Sequence, residues 1–250
     1  MRFPVLFAAS ASLTAASPAL ATVVGYNIDP SQSSLTISGD LTGNPASQQT
    51  AGSLTTSFTG TIVADRQPTK ILFPGGSALD ASLQSQNQQP RADATPGSAP
   101  ADYGRTAPGP FSTTAFEAIR GFVADVEDDT STLGIPISGN NFSSADLVFV
   151  IGSGRSDVIF GLGSNQVDLS NKAAANSNGN GQSSVVVSGS TETLTLKFST
   201  GSIGYNVNQT GDSSLMFTGT IVGTRLIPEP SAAALAGVCA GALLRRRRSV

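Results

Sequence analysis

Leu54-Thr55-Thr56-Ser57-Phe58-Thr59-Gly60-Thr61-Ile62 is the stretch that decides the fold. Leu54, Phe58 and Ile62 fall on one side of an extended chain and the threonines on the other, because successive side chains of a strand point to opposite faces. The pattern predicts an antiparallel strand with one face in the core and one in water.

The same alternation recurs along a chain of 250 residues that is rich in Ser, Thr, Gly, Asn and Val and only 12% charged. In residues 193–198, Leu194, Leu196 and Phe198 alternate with polar side chains. Further strands are predicted at 23–28, 33–38, 70–73, 121–126, 146–151, 157–160, 184–188 and 203–207. We therefore expect an all-β fold, a single antiparallel β-barrel or β-sandwich.

A nine-residue repeat adds to this expectation. Residues 58–66 (FTGTIVADR) reappear as residues 217–225 (FTGTIVGTR), seven of nine identical. When the sequence is aligned with itself in this way, Leu35-Thr36 also matches Leu194-Thr195. The repeat indicates an internal duplication of a two-strand unit, with compositional bias towards Thr and Gly as the alternative. Repeated units near both ends of a domain suit a sheet that closes on itself. Gly60 and Gly219 lie within the strands, where a bulge or a close backbone approach is the usual reason for glycine.

Other stretches give weaker signals. The apolar run 147–151 predicts a strand covered on both faces, and Gly152-Ser153-Gly154 a turn that leads into the strand at 157–160. Residues 84–110 and 172–184 are rich in small and polar residues and are predicted to be loops. Residues 114–120 are compatible with two turns of helix.

The composition excludes several chemistries. The chain has no histidine, so Ser-His-Asp and Cys-His catalysis and His-ligated zinc are excluded, and Cys239 is the lone cysteine. We expect a non-catalytic protein without a cofactor. Paired carboxylates could still hydrolyse glycosides, which leaves a carbohydrate-binding or glycoside-active module as an alternative.

Four clustered acidic residues, Asp125, Glu127, Asp128 and Asp129, offer oxygen ligands of the kind that Ca²⁺ prefers. Their spacing is not that of an EF-hand loop. A solvated strand end or turn is therefore the favoured interpretation, and no metal site is predicted.

The N-terminus has the pattern of a secretory signal peptide. Arg2 precedes an apolar stretch, and small residues at Ala19 and Ala21 predict cleavage after Ala21, so residues 1–21 would be removed. Residues 22–226 then form one β-domain with 16 acidic and 9 basic residues, a formal charge of −7. This charge disfavours nucleic-acid binding.

The C-terminus, residues 227–250, forms a third segment. Its apolar part, 232–244, would span about 20 Å as a helix, against roughly 30 Å of bilayer hydrocarbon, so it is a marginal membrane span. Four arginines follow, Arg245, Arg246, Arg247 and Arg248, and should stay cytoplasmic as a stop-transfer signal. That leaves Pro228-Glu229-Pro230 on the far side, as a stiff peptide that a protease can recognise.

In these features the tail resembles the PEP-CTERM sorting signal of exported bacterial proteins, also catalogued as an ice-binding protein C-terminal motif. The resemblance covers about the last two dozen residues and does not imply ice binding. It implies recognition at Pro228, Glu229 and Pro230 by an exosortase-type processing enzyme, removal of the hydrophobic sorting helix, and delivery to the cell surface or extracellular matrix. An ordinary tail anchor and a basic tail for nucleic acid are the alternatives.

Residues 26–35 (YNIDPSQSSL) faintly resemble the opening of YceI-like secreted lipocalin-type barrels. That resemblance implies an apolar lipid ligand and is the basis of a second alternative function. The main expectation is an exported cell-envelope, cell-surface or matrix protein that meets the secretion machinery, the processing enzyme and, transiently, the inner membrane. Extracellular polysaccharide is a further expected partner, and the sequence does not predict an oligomeric state.

Overall fold

The structure is a computed structural model that describes residues 23–48, 53–81, 101–109, 113–129, 133–160, 163–207 and 212–227. Several predicted features lie outside these ranges: Ala19, Ala21, the motif at 228–230, the helix 232–244 and the arginines 245–248. Within the described ranges, no helix has the length and apolar character needed to cross a membrane.

Strands dominate the described part of the chain. In chain order they are β1 (Val23–Ile28), β2 (Ser34–Ser38), β3 (Asp40–Leu41), β4 (Asn44–Pro45), β5 (Ser47–Gln48), β6 (Thr55–Ser57), β7 (Thr59–Arg66), β8 (Lys70–Leu72), β9 (Ala78–Asp80), β10 (Tyr103–Pro108), β11 (Thr114–Asp128), β12 (Ile135–Ser138), β13 (Asn141–Phe142), β14 (Leu147–Phe160), β15 (Gly163–Asp168), β16 (Lys172–Ala175), β17 (Ser183–Ser188), β18 (Thr191–Ser199), β19 (Ile203–Asn206) and β20 (Asp212–Leu226). Two short 3-10 turns occupy Ser144–Asp146 and Asn178–Asn180.

These segments form a closed, eight-stranded antiparallel barrel. Grouped in chain order, the short strands make up the eight strands of the barrel wall, which we call wall strands: β1–β2, β5–β7, β8–β10, β11–β12, β13–β14, β15–β17, β18–β19 and β20. Each wall strand pairs with the next in chain order, and β20 pairs with β1 and β2 to close the ring. The barrel expectation is confirmed and the sandwich alternative is wrong. Closure removes the exposed sheet edges.

The repeated stretches pass through β7 and β20. Phe58 and Phe217 are fully buried, as are Ile62 and Ile221, so both copies turn the same positions inward. The two copies pair in different registers, because Leu35 pairs with Thr56 in the first unit whereas Leu194 pairs with Gly223 in the second. The side-chain pattern is thus shared while the strand register is not.

Aromatic rings fill the middle of the barrel. Phe217 of β20 lies 5.2 Å, centroid to centroid, from Phe122 of β11, which belongs to the opposite wall. Phe149 of β14 lies 4.8 Å from Phe217 and 5.4 Å from Phe198 of β18. Since these distances are those of rings in van der Waals contact, side chains bridge the full width of the barrel.

Several sequence expectations are wrong. Residues 114–120 are part of strand β11 and not helix. The predicted loop 84–110 contains strand β10 at 103–108, and the predicted loop 172–184 contains β16, a 3-10 turn and the start of β17.

The prediction of a hairpin at Gly152-Ser153-Gly154 is also wrong. These residues lie within the single strand β14, where the pairing with β11 shifts register between Arg120 and Ala124, as at a β-bulge. The run 147–151 is not covered on both faces: Leu147, Phe149 and Ile151 are buried, while Val148 and Val150 are only half-buried.

Candidate functional site

The two ends of the barrel each carry a buried cluster of charged and hydroxyl side chains. β1 begins, β7 ends and β20 ends at one end, which we call the tail-proximal end because Ile227 leaves the barrel there. β19 ends and β20 begins at the other, which we call the distal end.

Glu192 is the centre of the cluster at the tail-proximal end. It occupies the first inward position of β18, in phase with Leu194 and Leu196, and its side chain has no exposed surface. Arg66 donates to its Oε1 at 2.6 Å, and Arg225 and the hydroxyl of Tyr26 donate to Oε2. We call these four residues the Glu192 cluster.

The arginines of this cluster hold equivalent positions in the two copies of the repeat. The guanidinium of Arg225 lies 5.3 Å from the centroid of the Tyr26 ring, a cation–π distance. Burial, and then the charge of Glu192, raise the pKa of Tyr26 to about 12. The phenol therefore stays protonated and serves as a hydrogen-bond donor.

Glu117 is the centre of the cluster at the distal end. Its carboxylate accepts hydrogen bonds from Arg105 Nε, Ser156 Oγ and Tyr205 OH. Arg105 also donates to Tyr205 OH at 2.5 Å and to the Ser214 carbonyl oxygen at 2.9 Å. We call Arg105, Glu117, Ser156 and Tyr205 the Glu117 cluster.

The Glu117 cluster ties strands β10, β11, β14, β19 and β20 together. Burial by itself lowers the pKa of Arg105, but the charges and hydrogen bonds of Glu117 and Tyr205 together outweigh burial and raise the pKa. Burial also raises the pKa of Tyr205 well above its ordinary value. Ser156 donates to a carboxylate that Arg105 and Tyr205 also contact, and neither Ser156 nor Glu117 has exposed surface at which a substrate could meet the serine hydroxyl. The arrangement suits structural cross-linking.

Two further buried carboxyl groups lie in the wall. Asp157 is ion-paired with Arg120, and burial raises its pKa. Asp102 accepts a hydrogen bond from the Phe122 N–H at 3.0 Å, and burial raises its pKa to about 6.

The four candidate calcium ligands do not share a site. Asp125 accepts from the N–H groups of Gly76 and Ser77 at 2.7 and 2.8 Å, and Asp128 accepts from Phe73 N–H at 2.8 Å. Glu127 is exposed. Over the described ranges, no three His, Cys, Asp or Glu side chains are grouped so that they could hold a metal ion.

Sequence reasoning missed both end clusters, although a signal for them exists. Glu192 and Glu117 stand at inward positions of alternating strands, two residues before Leu194 and Ile119 respectively. A charged residue in the apolar phase of a strand must find a buried partner. The sequence does not say which arginine supplies it.

Comparisons with known proteins return no relative. No protein-family model, no curated protein and no solved structure matches the chain.

Proposed function

We propose that the protein is an exported, non-catalytic component of the cell surface or extracellular matrix, delivered there by its PEP-CTERM-like tail. The observation that supports a structural role is the contact of Phe217 with Phe122 across the barrel. Rings from opposite walls fill the interior, and an arginine–carboxylate cluster lies at each end. Such a barrel holds its own side chains where a binding barrel holds a ligand.

The buried carboxylates also favour a non-catalytic role. Glu117, Asp157 and Glu192 each pair with arginine, so their carboxyl groups are already engaged by side chains of the barrel itself. Glu117 and Glu192 lie at opposite ends of the barrel, whereas glycoside hydrolysis needs two carboxyl groups on either side of one bond.

The sorting part of the proposal rests on the tail. Strand β20 continues to Leu226, and the Ile227 N–H donates to the Ser190 carbonyl oxygen at 2.8 Å. Pro228-Glu229-Pro230 follows at once in the sequence. The motif is thus joined directly to the barrel, with the apolar segment 232–244 and the arginines 245–248 behind it.

Replacing Pro228 and Pro230 together with alanine tests the sorting role. In the native host, we expect the variant to keep its tail and to accumulate in the inner-membrane fraction, as followed by fractionation and mass spectrometry. Pro136→Ala, which removes an exposed proline from β12, is the matched control. Unchanged processing and surface delivery of the double variant would overturn the sorting role.

Binding of a lipid or other apolar ligand is the alternative that the closed eight-stranded barrel favours. Native mass spectrometry of the exported domain separates the two. The structural role predicts the mass of the bare polypeptide, whereas a stoichiometric apolar adduct would support the alternative. Co-purifying polysaccharide would support the carbohydrate-binding alternative and a matrix location.

A further inference from the structure

Exposed apolar side chains collect at the tail-proximal end of the barrel. Across the described ranges, the large exposed apolar residues are Val23, Leu133, Val186, Val187 and Leu226. All of these except Leu133 lie at that end. Val23 opens β1, Val186 and Val187 lie at the end of β17, and Leu226 closes β20 opposite Thr191.

Leu133 lies farther down the wall. It precedes β12, and Pro136 of that strand pairs with Lys70, so β12 runs from Leu133 towards the turn between β7 and β8 at the tail-proximal end. Its side chain is 74% exposed, almost the same as the 76% of Leu226. The two leucines are therefore a matched pair, one at the tail-proximal end and one away from it.

The same end exposes cations and buries its carboxylates, although the domain as a whole is acidic. Arg66 and Arg225 keep 28% and 22% of their side chains exposed. Lys70 begins β8 near Arg66, but its ammonium group donates to the Leu133 carbonyl oxygen at 2.9 Å. The acidic groups of these strand ends, Asp65 and Glu192, are both buried. An anionic surface would thus meet cations at this end and carboxylates over much of the remaining wall.

The chain geometry brings this end close to any membrane that the tail enters. The last backbone contact of the barrel is that of Ile227 with Ser190. The sequence then has residues 228–231 before the apolar segment 232–244. Four residues reach at most about 14 Å when fully extended.

We propose that, while the tail is uncut, the tail-proximal end of the barrel rests on the surface of an anionic phospholipid bilayer. Val23, Val186, Val187 and Leu226 enter the head-group region, and Arg66 and Arg225 face the lipid phosphates. This inference rests on the proposed function, since it requires residues 232–244 to occupy the membrane. It adds an orientation: the distal end faces away from the bilayer.

Depth measurement with single fluorescent labels tests the orientation. The full chain is placed in vesicles of phosphatidylethanolamine and phosphatidylglycerol that contain a spin-labelled quencher lipid. One label is attached to the native Cys239. The others are attached in a Cys239→Ser background to Val187→Cys or to Asn206→Cys, an exposed position at the distal end. We expect the label at position 239 to be quenched by the lipid. Quenching at position 187 should be at least about threefold stronger than at position 206. In vesicles without phosphatidylglycerol, quenching at position 187 should be weaker than in vesicles that contain it.

The outcomes separate the two proposals. Quenching at 239 with equal quenching at 187 and 206 would overturn the orientation and leave the membrane-inserted tail intact. A label at 239 that is not quenched would overturn the inserted tail, and the orientation with it.

Leu226→Asp and Leu133→Asp give a second test, with thermal unfolding as the check that both variants fold. Leu226→Asp should reduce quenching at position 187 by about twofold or more, because it places a charge where lipid contact is expected. Leu133→Asp should leave it unchanged. If both variants reduced the quenching at position 187 equally, or if neither variant reduced it, the proposal would be contradicted.

Discussion

Among single residues, Asp102 makes the stability of the fold depend on pH. Its pKa is about 6 in the barrel, above its ordinary value of 3.8, because the carboxyl is buried. Between these two values the folded state holds a proton that the unfolded state has released, so the free energy of unfolding falls as the pH rises from about 4 to about 6. Asp102→Asn keeps an oxygen for the Phe122 N–H and removes the charge. We expect it to raise the free energy of unfolding at pH 7 by roughly 2 kcal/mol.

Urea unfolding at pH 4 and pH 7 measures this effect. The Asp102→Asn variant should gain stability at pH 7 and little at pH 4. Asp40→Asn, an exposed substitution, is the control. A gain that is the same at both pH values would show that the charge of Asp102 is not its cause.

Glu192 is a second residue that is important for the stability of the fold, because Arg66 and Arg225 both pair with it. Glu192→Gln removes the charge and leaves two partly buried arginines without a carboxylate partner. We expect a loss of about 2–4 kcal/mol in the free energy of unfolding. Arg66→Ala should cost less, since Arg225 still neutralises Glu192. Glu127→Gln, an exposed substitution on β11, should change stability little, and chemical denaturation ranks the three.

At the scale of elements, alternation predicted the strands that obey it and missed those with charges in their inward positions. β1 was predicted with its observed bounds, and β18 has the predicted inward face. β10 was missed because Arg105 is buried at its centre, and the start of β11 was ambiguous because Glu117 and Arg120 are buried among apolar neighbours. Periodicity treats a charge as a solvent-facing residue, so a strand that buries ion pairs loses its signal.

The glycines within the repeat are a further feature at the scale of elements that sequence reasoning predicted. Gly60 and Gly219 have φ values of 105° and 155°. A Cβ at either position would come within 3.0 Å of a backbone oxygen of a neighbouring strand, Ala78 O or Ser34 O. Both glycines therefore allow a close backbone approach, as their position within the strands indicated.

Replacing Gly219 by alanine tests that requirement. We expect a loss of at least about 2 kcal/mol, because the neighbouring backbone must move and the conformation disfavours a side chain. Gly204→Ala in β19 is the matched control, since a Cβ there would meet nothing within 4 Å. Thermal unfolding of both variants provides the measurement, and equal melting temperatures would contradict the expected close approach.

At the scale of the molecule, closure was foreseeable from the repeat near both chain ends, whereas the filling of the interior was not. Which rings meet across the barrel depends on the register of non-adjacent walls, and a strand pattern does not encode that register. The contact of Phe217 with Phe122 and Phe149 is the observation that favours a packed interior over a ligand-holding one. Removing the Phe217 ring is therefore the main test of the packing of the whole barrel.

Phe217→Ala removes the ring that touches both opposite walls. We expect a loss of about 3–5 kcal/mol in the free energy of unfolding and an apolar cavity at the centre of the barrel. Benzene should bind that cavity and raise the melting temperature of the variant, because a cavity lined by aromatic side chains stays dry and accepts an apolar guest. It should leave the unsubstituted protein unchanged, since there the Phe217 ring packs against Phe122 and Phe149. Equal stabilisation of both proteins by benzene would mean that the interior already holds room for a ligand, and would favour lipid binding over a structural role.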